Sequence, residues 1–140
     1  MTAKYAKTRT NIRRDSMELE TVQAWIDAYI EAWHGNDRER IRALFAEDAA
    51  YAYNPWDEPL RGREAIVDDW LKEPDEPGSW QAEYRPILVD GRRAIVTGIT
   101  RYADSDSYSN LFVVDFDEEG RCRAFTEWYM RQPKGTPGNG

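Results

Sequence analysis

The first third of the chain carries apolar residues at helical spacing. From Glu18 to Trp33 they recur every three or four residues, which predicts an amphipathic helix. Gly35 suits the position just after a helix, and Asp37 is a favourable N-cap for a second helix over Arg38 to Phe45. The sequence therefore predicts two helices joined by a short turn.

A short strand and a third helix are predicted next. Ala49 to Tyr53 has the character of a strand, and the prolines at positions 55 and 59 require a loop after it. Between Glu64 and Leu71, apolar residues lie four apart, which favours a helix that stops before Pro74.

The second half of the chain changes to strand character. Four runs rich in β-forming residues are separated by short segments of Asp, Ser, Glu and Gly, and they span 80–89, 92–103, 108–116 and 121–131. Short connections of this kind join antiparallel neighbours, so the runs predict a four-stranded meander. The predicted fold class is α+β, with three N-terminal helices packed on a curved antiparallel sheet.

Several short motifs occur in the order typical of one superfamily. They are Ala-Trp-His-Gly-Asn-Asp at 32–37, Phe-Ala-Glu-Asp-Ala at 45–49, Leu-Arg-Gly-Arg-Glu-Ala-Ile at 60–66, Gly-Arg-Cys at 120–122 and Glu-Trp at 127–128. Together they resemble the NTF2-like superfamily, and specifically its SnoaL-like branch. The resemblance covers residues 18–131 and implies a cone with one pocket between the concave sheet face and the helices.

This resemblance leaves the reaction open. The superfamily includes isomerases, cyclases, hydrolases and dehydratases as well as proteins that only bind a ligand, and a fold alone does not select among them. We expect residues 1–17 to be a disordered basic tail, 18–131 to be the SnoaL-like domain and 132–140 to be a disordered C-terminal tail.

Charge and composition narrow the possible partners. The 140 residues suit one domain, and their net charge is −7. Residues 1–17 hold five basic residues and one acid, so subtracting +4 from −7 leaves −11 for the rest. A body this acidic argues against nucleic acid as the main ligand.

Other features set the expected location and the expected cofactors. No apolar run reaches the roughly 18 residues of a membrane span, and no signal-peptide core follows the N-terminus, so we expect a cytoplasmic protein without a membrane partner. The chain has one cysteine, Cys122, and one histidine, His34, which is too few for a Cys/His zinc site. We expect neither a metal nor another cofactor.

Many aromatic residues are available to line the pocket that the resemblance implies. The chain contains six Trp and eight Tyr, more than packing alone requires. The residues predicted to contact a small apolar molecule are Trp25, Tyr29, Trp56, Trp70, Tyr108 and Trp128.

Glu127 is the principal catalytic candidate. It lies among aromatic residues in the last predicted strand, where desolvation of its carboxylate would raise its pKa toward neutrality. The alternative is a structural ion pair with Arg85, Arg101 or Arg123.

Two further residues are predicted to assist Glu127. Asn110 could orient a substrate carbonyl or a water molecule, and Tyr53 could donate to a developing oxyanion. The leading hypothesis is cofactor-free acid–base chemistry of the isomerase, cyclase, dehydratase or hydrolase type. The competing hypothesis is a non-catalytic module that either binds a hydrophobic ligand or serves as a dimeric interaction module.

The strand at 108–116 also predicts an assembly. Both of its faces are largely apolar, and only one can pack against the helices. A homodimer formed through the outer face of the sheet would cover the other.

Overall fold

A computed structural model describes residues 17–135. Its three helices are α1 (Leu19–Gly35), α2 (Arg38–Leu44) and α3 (Arg63–Lys72). All three predicted helices are confirmed, and none of their ends is shifted by more than two residues.

The turn between α1 and α2 differs from the prediction in one detail. Gly35 is the last residue of α1, and Asn36 takes the left-handed conformation, with φ of 51°. Asparagine tolerates this conformation better than most residues, and its side-chain Nδ2 donates to the carbonyl of Asp75 at 3.0 Å. Asp37 caps α2 as predicted, and its Oδ1 accepts from the backbone N–H of Glu39 at 2.9 Å.

In the described part of the chain, six strands form one sheet in the order β2-β1-β6-β5-β4-β3. Their bounds are β1 (Phe45–Ala52), β2 (Leu60–Arg61), β3 (Trp80–Asp90), β4 (Arg93–Tyr102), β5 (Ser107–Phe116) and β6 (Cys122–Arg131). The predicted antiparallel meander is therefore confirmed as β3 to β6.

The beginning of the sheet differs more from the prediction. β1 starts at Phe45 rather than at Ala49, and it pairs in parallel with β6 and antiparallel with the short β2. Both pairings depend on contacts between residues far apart in the chain, and β2 has only two residues, so local periodicity carries little signal for them.

The core lies between the concave face of the sheet and the helices. Along β5, Asn110, Phe112, Val114 and Phe116 are buried, whereas the residues between them are only partly buried. This alternation places one row of β5 side chains against the helices and the other row on the outer face. Of the two largely apolar faces of this strand, the one that carries Asn110, Phe112, Val114 and Phe116 is the face that packs against the helices.

The predicted tails fall largely outside the described residues. Of the N-terminal tail, only Met17 is described, and its N–H donates to the carbonyl of Gly91 at 2.9 Å. At the other end, the N–H of Gln132 donates to the carbonyl of Ser107 at 2.8 Å. Met17 is thus bonded to the turn between β3 and β4, and Gln132 to the first residue of β5.

Candidate functional site

A cavity of about 700 Å³ opens between the concave face of the sheet and helices α1 and α3. Its size is within the usual range of small-molecule sites. Most of its wall is aromatic, from Tyr29, Trp33, Tyr51, Tyr53, Trp70, Tyr84, Tyr102, Tyr108, Phe112 and Tyr129. The cavity therefore offers flat apolar surfaces together with several phenol groups.

Glu127 lies on the β6 wall of this cavity. Burial raises the pKa of Glu127 from its ordinary 4.5 to about 7, although the hydrogen bond from Asn110 opposes this rise. Among residues 17–135 no lysine or arginine forms an ion pair with Glu127, and this includes Arg85, Arg101 and Arg123. The carboxyl therefore faces the cavity without a neutralising cation.

One oxygen of Glu127 is held by a buried amide. Nδ2 of Asn110 donates to Oε2 of Glu127 at 2.8 Å, and Oδ1 of Asn110 accepts from the hydroxyl of Thr100 at 2.9 Å. The Thr100 hydroxyl is also hydrogen-bonded to the phenol of Tyr84. Asn110 and Thr100 are the two buried polar residues of the described chain, and both find partners.

A pair of phenols lies at the helical side of the cavity. The hydroxyl oxygens of Tyr29, on α1, and Tyr51, on β1, are 2.7 Å apart. Burial raises the pKa of Tyr29 and of Tyr51 well above the ordinary value, and the negative charge of Glu127 adds to both shifts. Both phenols thus stay protonated at neutral pH, and both lie within electrostatic reach of Glu127.

Acidic groups surround the rest of the cavity. Asp69, Glu73 and Asp75 contribute to its lining, and Lys72 is the one basic residue there. Asp69 accepts from the hydroxyl of Tyr53 at 2.6 Å. This excess of negative charge disfavours an anionic ligand.

Most of the residues predicted for the site do meet at this cavity. Glu127, Asn110 and Tyr53 all line it, as do Tyr29, Trp70 and Tyr108. Their positions differ from the prediction in two respects, because Asn110 contacts Glu127 and Tyr53 already donates to an aspartate.

Three predicted wall residues lie elsewhere, and these positions are corrections. Trp25 is packed in the core against Phe45 and Phe116, and its indole donates to a backbone carbonyl. Trp56 follows a proline in a surface loop and is 77% exposed. Trp128 is 42% exposed on the opposite sheet face, because adjacent residues of a strand point in opposite directions and Glu127 takes the inward position.

Sequence reasoning missed the polar partners of Glu127. Tyr84 and Thr100 lie on β3 and β4, at inward positions that otherwise hold apolar residues such as Val96. Thr100 itself could have indicated them, because a threonine among the inward-facing apolar residues of a strand needs a hydrogen-bond partner for its buried hydroxyl. The acidic groups of α3 and the following loop were missed as well.

Residues 17–135 meet the requirements neither of a membrane-spanning helix nor of a metal-binding cluster. None of the helices there is long and apolar enough to cross a membrane. Within the same residues, no group of three or more His, Cys, Asp or Glu side chains could hold a metal ion.

Solved structures with this architecture are numerous. A proposed ketosteroid isomerase from Kribbella flavida DSM 17836 is 25% identical, with a TM-score of 0.64 over 86% of this chain and 85% of that chain. An NTF-2 like protein of unknown function from Burkholderia xenovorans LB400 is 18% identical, with a TM-score of 0.66 over 85% and 89%. A steroid delta-isomerase from Pseudomonas aeruginosa is 17% identical, with a TM-score of 0.56 over 81% of each chain.

Comparison with curated proteins finds no match. Comparison with protein families finds a match to the SnoaL-like domain family, which covers residues 26–138, most of the chain. The helices, the curved mostly antiparallel sheet and the neighbouring structures agree with that match. This chain belongs to the SnoaL-like family and has the NTF2-like fold.

Proposed function

We propose that the cavity performs acid–base chemistry on a small, largely apolar and uncharged molecule, with Glu127 taking and returning a proton. The observation that carries the proposal is a carboxyl in an aromatic cavity with no cationic partner among residues 17–135 and a pKa of about 7. A group with such a pKa exists in both protonation states at neutral pH, which general acid–base catalysis requires.

The phenol pair supplies the second element of the proposed reaction. When Glu127 removes a proton from a carbon next to a carbonyl, negative charge develops on the carbonyl oxygen. One of Tyr29 and Tyr51 donates to the other, and the second keeps its own proton for the ligand. A hydroxyl at this position would stabilise the developing oxyanion.

An isomerisation is the reaction type that this arrangement favours. Moving a proton within one molecule needs one group that both takes and returns it, and Glu127 alone suffices for this. Two structural neighbours carry isomerase names, which supports the same class. The acidic lining of the cavity favours a substrate without negative charge.

Hydrogen–deuterium exchange into simple ketones tests the proposal with probe molecules in place of the substrate. Small cyclic ketones are incubated with the protein in D₂O, and NMR follows the loss of the protons next to the carbonyl. We expect Glu127→Gln to lower the exchange rate by about 10²-fold or more. The rate should rise with pH and level off above the pKa of Glu127, because the carboxylate is the base.

The control is Glu47→Gln. Glu47 is an exposed glutamate on β1 that lines neither the cavity nor the groove on the outer face of the sheet, and this variant should exchange like the wild type. If the ketones shift cavity resonances but exchange no faster with the wild type than with Glu127→Gln, the acid–base proposal fails. The cavity would then be a binding site only.

We also propose that the outer sheet face forms a homodimer. Trp128 and Met130 are 42% and 71% exposed there, and with Leu111 and Ile99 they line an open groove of about 990 Å³. Apolar patches on a sheet face are commonly covered by a second copy of the chain. Sedimentation velocity should show a dimer that Met130→Glu converts to a monomer, and a monomeric wild type would contradict this assembly.

A further inference from the structure

A line of hydrogen-bonded side chains crosses four strands beneath the cavity. It starts at Tyr84 on β3, continues through Thr100 on β4 and Asn110 on β5, and ends at Oε2 of Glu127 on β6. The first three side chains are at most 8% exposed. The proposed function uses Glu127 but assigns no role to this line.

The direction of each hydrogen bond follows from the number of protons available. Thr100 has one hydroxyl proton, and it donates that proton to Oδ1 of Asn110. The phenol of Tyr84 must therefore be the donor to Thr100. With its oxygen facing Thr100, Asn110 has to present its Nδ2 to Glu127.

A glycine in β4 leaves the space that the Tyr84 side chain needs to reach Thr100. Gly98 lies between Tyr84 and Asn110 in the sheet register. A Cβ at position 98 would lie 2.5 Å from Cδ1 of Tyr84 and 1.9 Å from the carbonyl oxygen of Glu83. Only glycine allows the Tyr84 ring to lie across β4 and approach Thr100.

We infer that Tyr84, Thr100 and Asn110 are positioning residues for Glu127. Asn110 binds Oε2 of Glu127, Thr100 and Tyr84 hold the Asn110 amide in place, and Oε1 is left as the oxygen that exchanges the proton. Among residues 17–135, Asn110 is the hydrogen-bond partner of the Glu127 side chain, so Oε1 is free to meet a ligand. Asn110 thus acts through the carboxyl rather than on the substrate. The catalytic consequence rests on the proposed function, whereas the coupling between these residues does not.

The same line also affects the protonation of Glu127. A donor at Oε2 favours the carboxylate, in opposition to burial. The other titratable side chains that feel the charge of Glu127 are the phenols Tyr29, Tyr51, Tyr53, Tyr84 and Tyr102. The pKa of each phenol is raised by burial, so all five stay neutral while Glu127 titrates.

Two substitutions at one position separate the hydroxyl from the shape of the side chain. Thr100→Val keeps the shape and removes the donor, whereas Thr100→Ser keeps the donor and removes a methyl group. The readouts are the pKa of Glu127 from carbon-detected NMR and the side-chain amide resonances of Asn110. In Thr100→Val we expect the pKa of Glu127 to rise by about one pH unit and the amide protons to exchange faster with solvent.

Thr100→Ser should reproduce the wild type in both readouts, and Tyr84→Phe should shift both in the direction of Thr100→Val. Equal shifts in the Val and Ser variants would assign the effect to packing and overturn the inference, as would no shift in Thr100→Val. If Thr100→Val does not fold, Tyr84→Phe is compared with the wild type. A raised pKa of Glu127 and faster amide exchange in Tyr84→Phe would support the inference, and no change in either readout would overturn it. A wild-type Glu127 that titrates near 4.5 would defeat the proposed function, yet a difference between the Val and Ser variants would still establish the coupling.

Discussion

Replacing Glu127 with glutamine should make the protein more stable at alkaline pH and should not change its stability at acid pH. The folded-state pKa of Glu127 is about 7, against an ordinary value of 4.5. Between these two values the folded state holds a proton that the unfolded state has lost. The free energy of unfolding of the wild type therefore falls as pH rises through this window.

The size of the effect follows from the pKa difference. A difference of about 2.5 corresponds to about 3 kcal/mol, since one pKa unit is about 1.36 kcal/mol. This is an upper value, because Glu127 borders an open cavity and water screens part of its charge. We expect Glu127→Gln to gain about 2–3 kcal/mol over the wild type above pH 8 and about zero below pH 4.

Urea denaturation at a series of pH values, followed by tryptophan fluorescence, measures this difference directly. Glu47→Gln is again the control, and it should stay within about 0.5 kcal/mol of the wild type at every pH. A difference between Glu127→Gln and the wild type that is the same at all pH values would refute the assignment of a raised pKa to Glu127. A variant less stable than the wild type at pH 8 would refute it as well.

Three other substitutions, one of them with a matched control, test the fold that holds the site. Gly98→Ala should destabilise the protein by about 1–3 kcal/mol in urea denaturation, because the added Cβ would collide with β3. Trp25→Phe should cost about 1–3 kcal/mol in the same assay, because it leaves the buried carbonyl of Leu44 without its donor at 3.0 Å; Trp56→Phe, at an exposed site, should be close to neutral. Asp37→Ala should lower the free energy of unfolding by about 1 kcal/mol through loss of the α2 cap, as measured by thermal denaturation with circular dichroism.

The parts of the fold that the sequence predicts are those set by local rules. Helix α1 follows from apolar spacing, the cap of α2 from Asp37, and the meander from short polar connections. Strand β1 and its parallel partner β6 are harder to predict, because their pairing joins residues more than 70 positions apart. Local periodicity carries no information about such a pairing.

The candidate site, like the fold, has residues that can be predicted from the local sequence and contacts that cannot. Glu127 and Asn110 are recognisable because a polar residue in an apolar strand is conspicuous in the sequence. Trp128 lies on the outer face of the sheet and not in the cavity, because the direction of a side chain in a strand depends on register and a shift of one residue reverses it. The contact of Asn110 with Glu127 lies diagonally across two strands, so it can be recognised only once the register is known.

Burial and hydrogen bonding shift the pKa of Glu127 in opposite directions, and the balance between them determines whether this carboxyl can exchange a proton at neutral pH. Burial alone would favour the protonated acid, and donation by Asn110 alone would favour the carboxylate. The sheet register provides both. Phe112 of β5 lies directly opposite Glu127 of β6, and Asn110, two residues before Phe112 on β5, donates to the Glu127 carboxylate. A net pKa near neutrality keeps both protonation states populated, as a group that takes and returns a proton requires. The instability this carboxyl causes at alkaline pH is then a direct consequence of the property that suits it to catalysis.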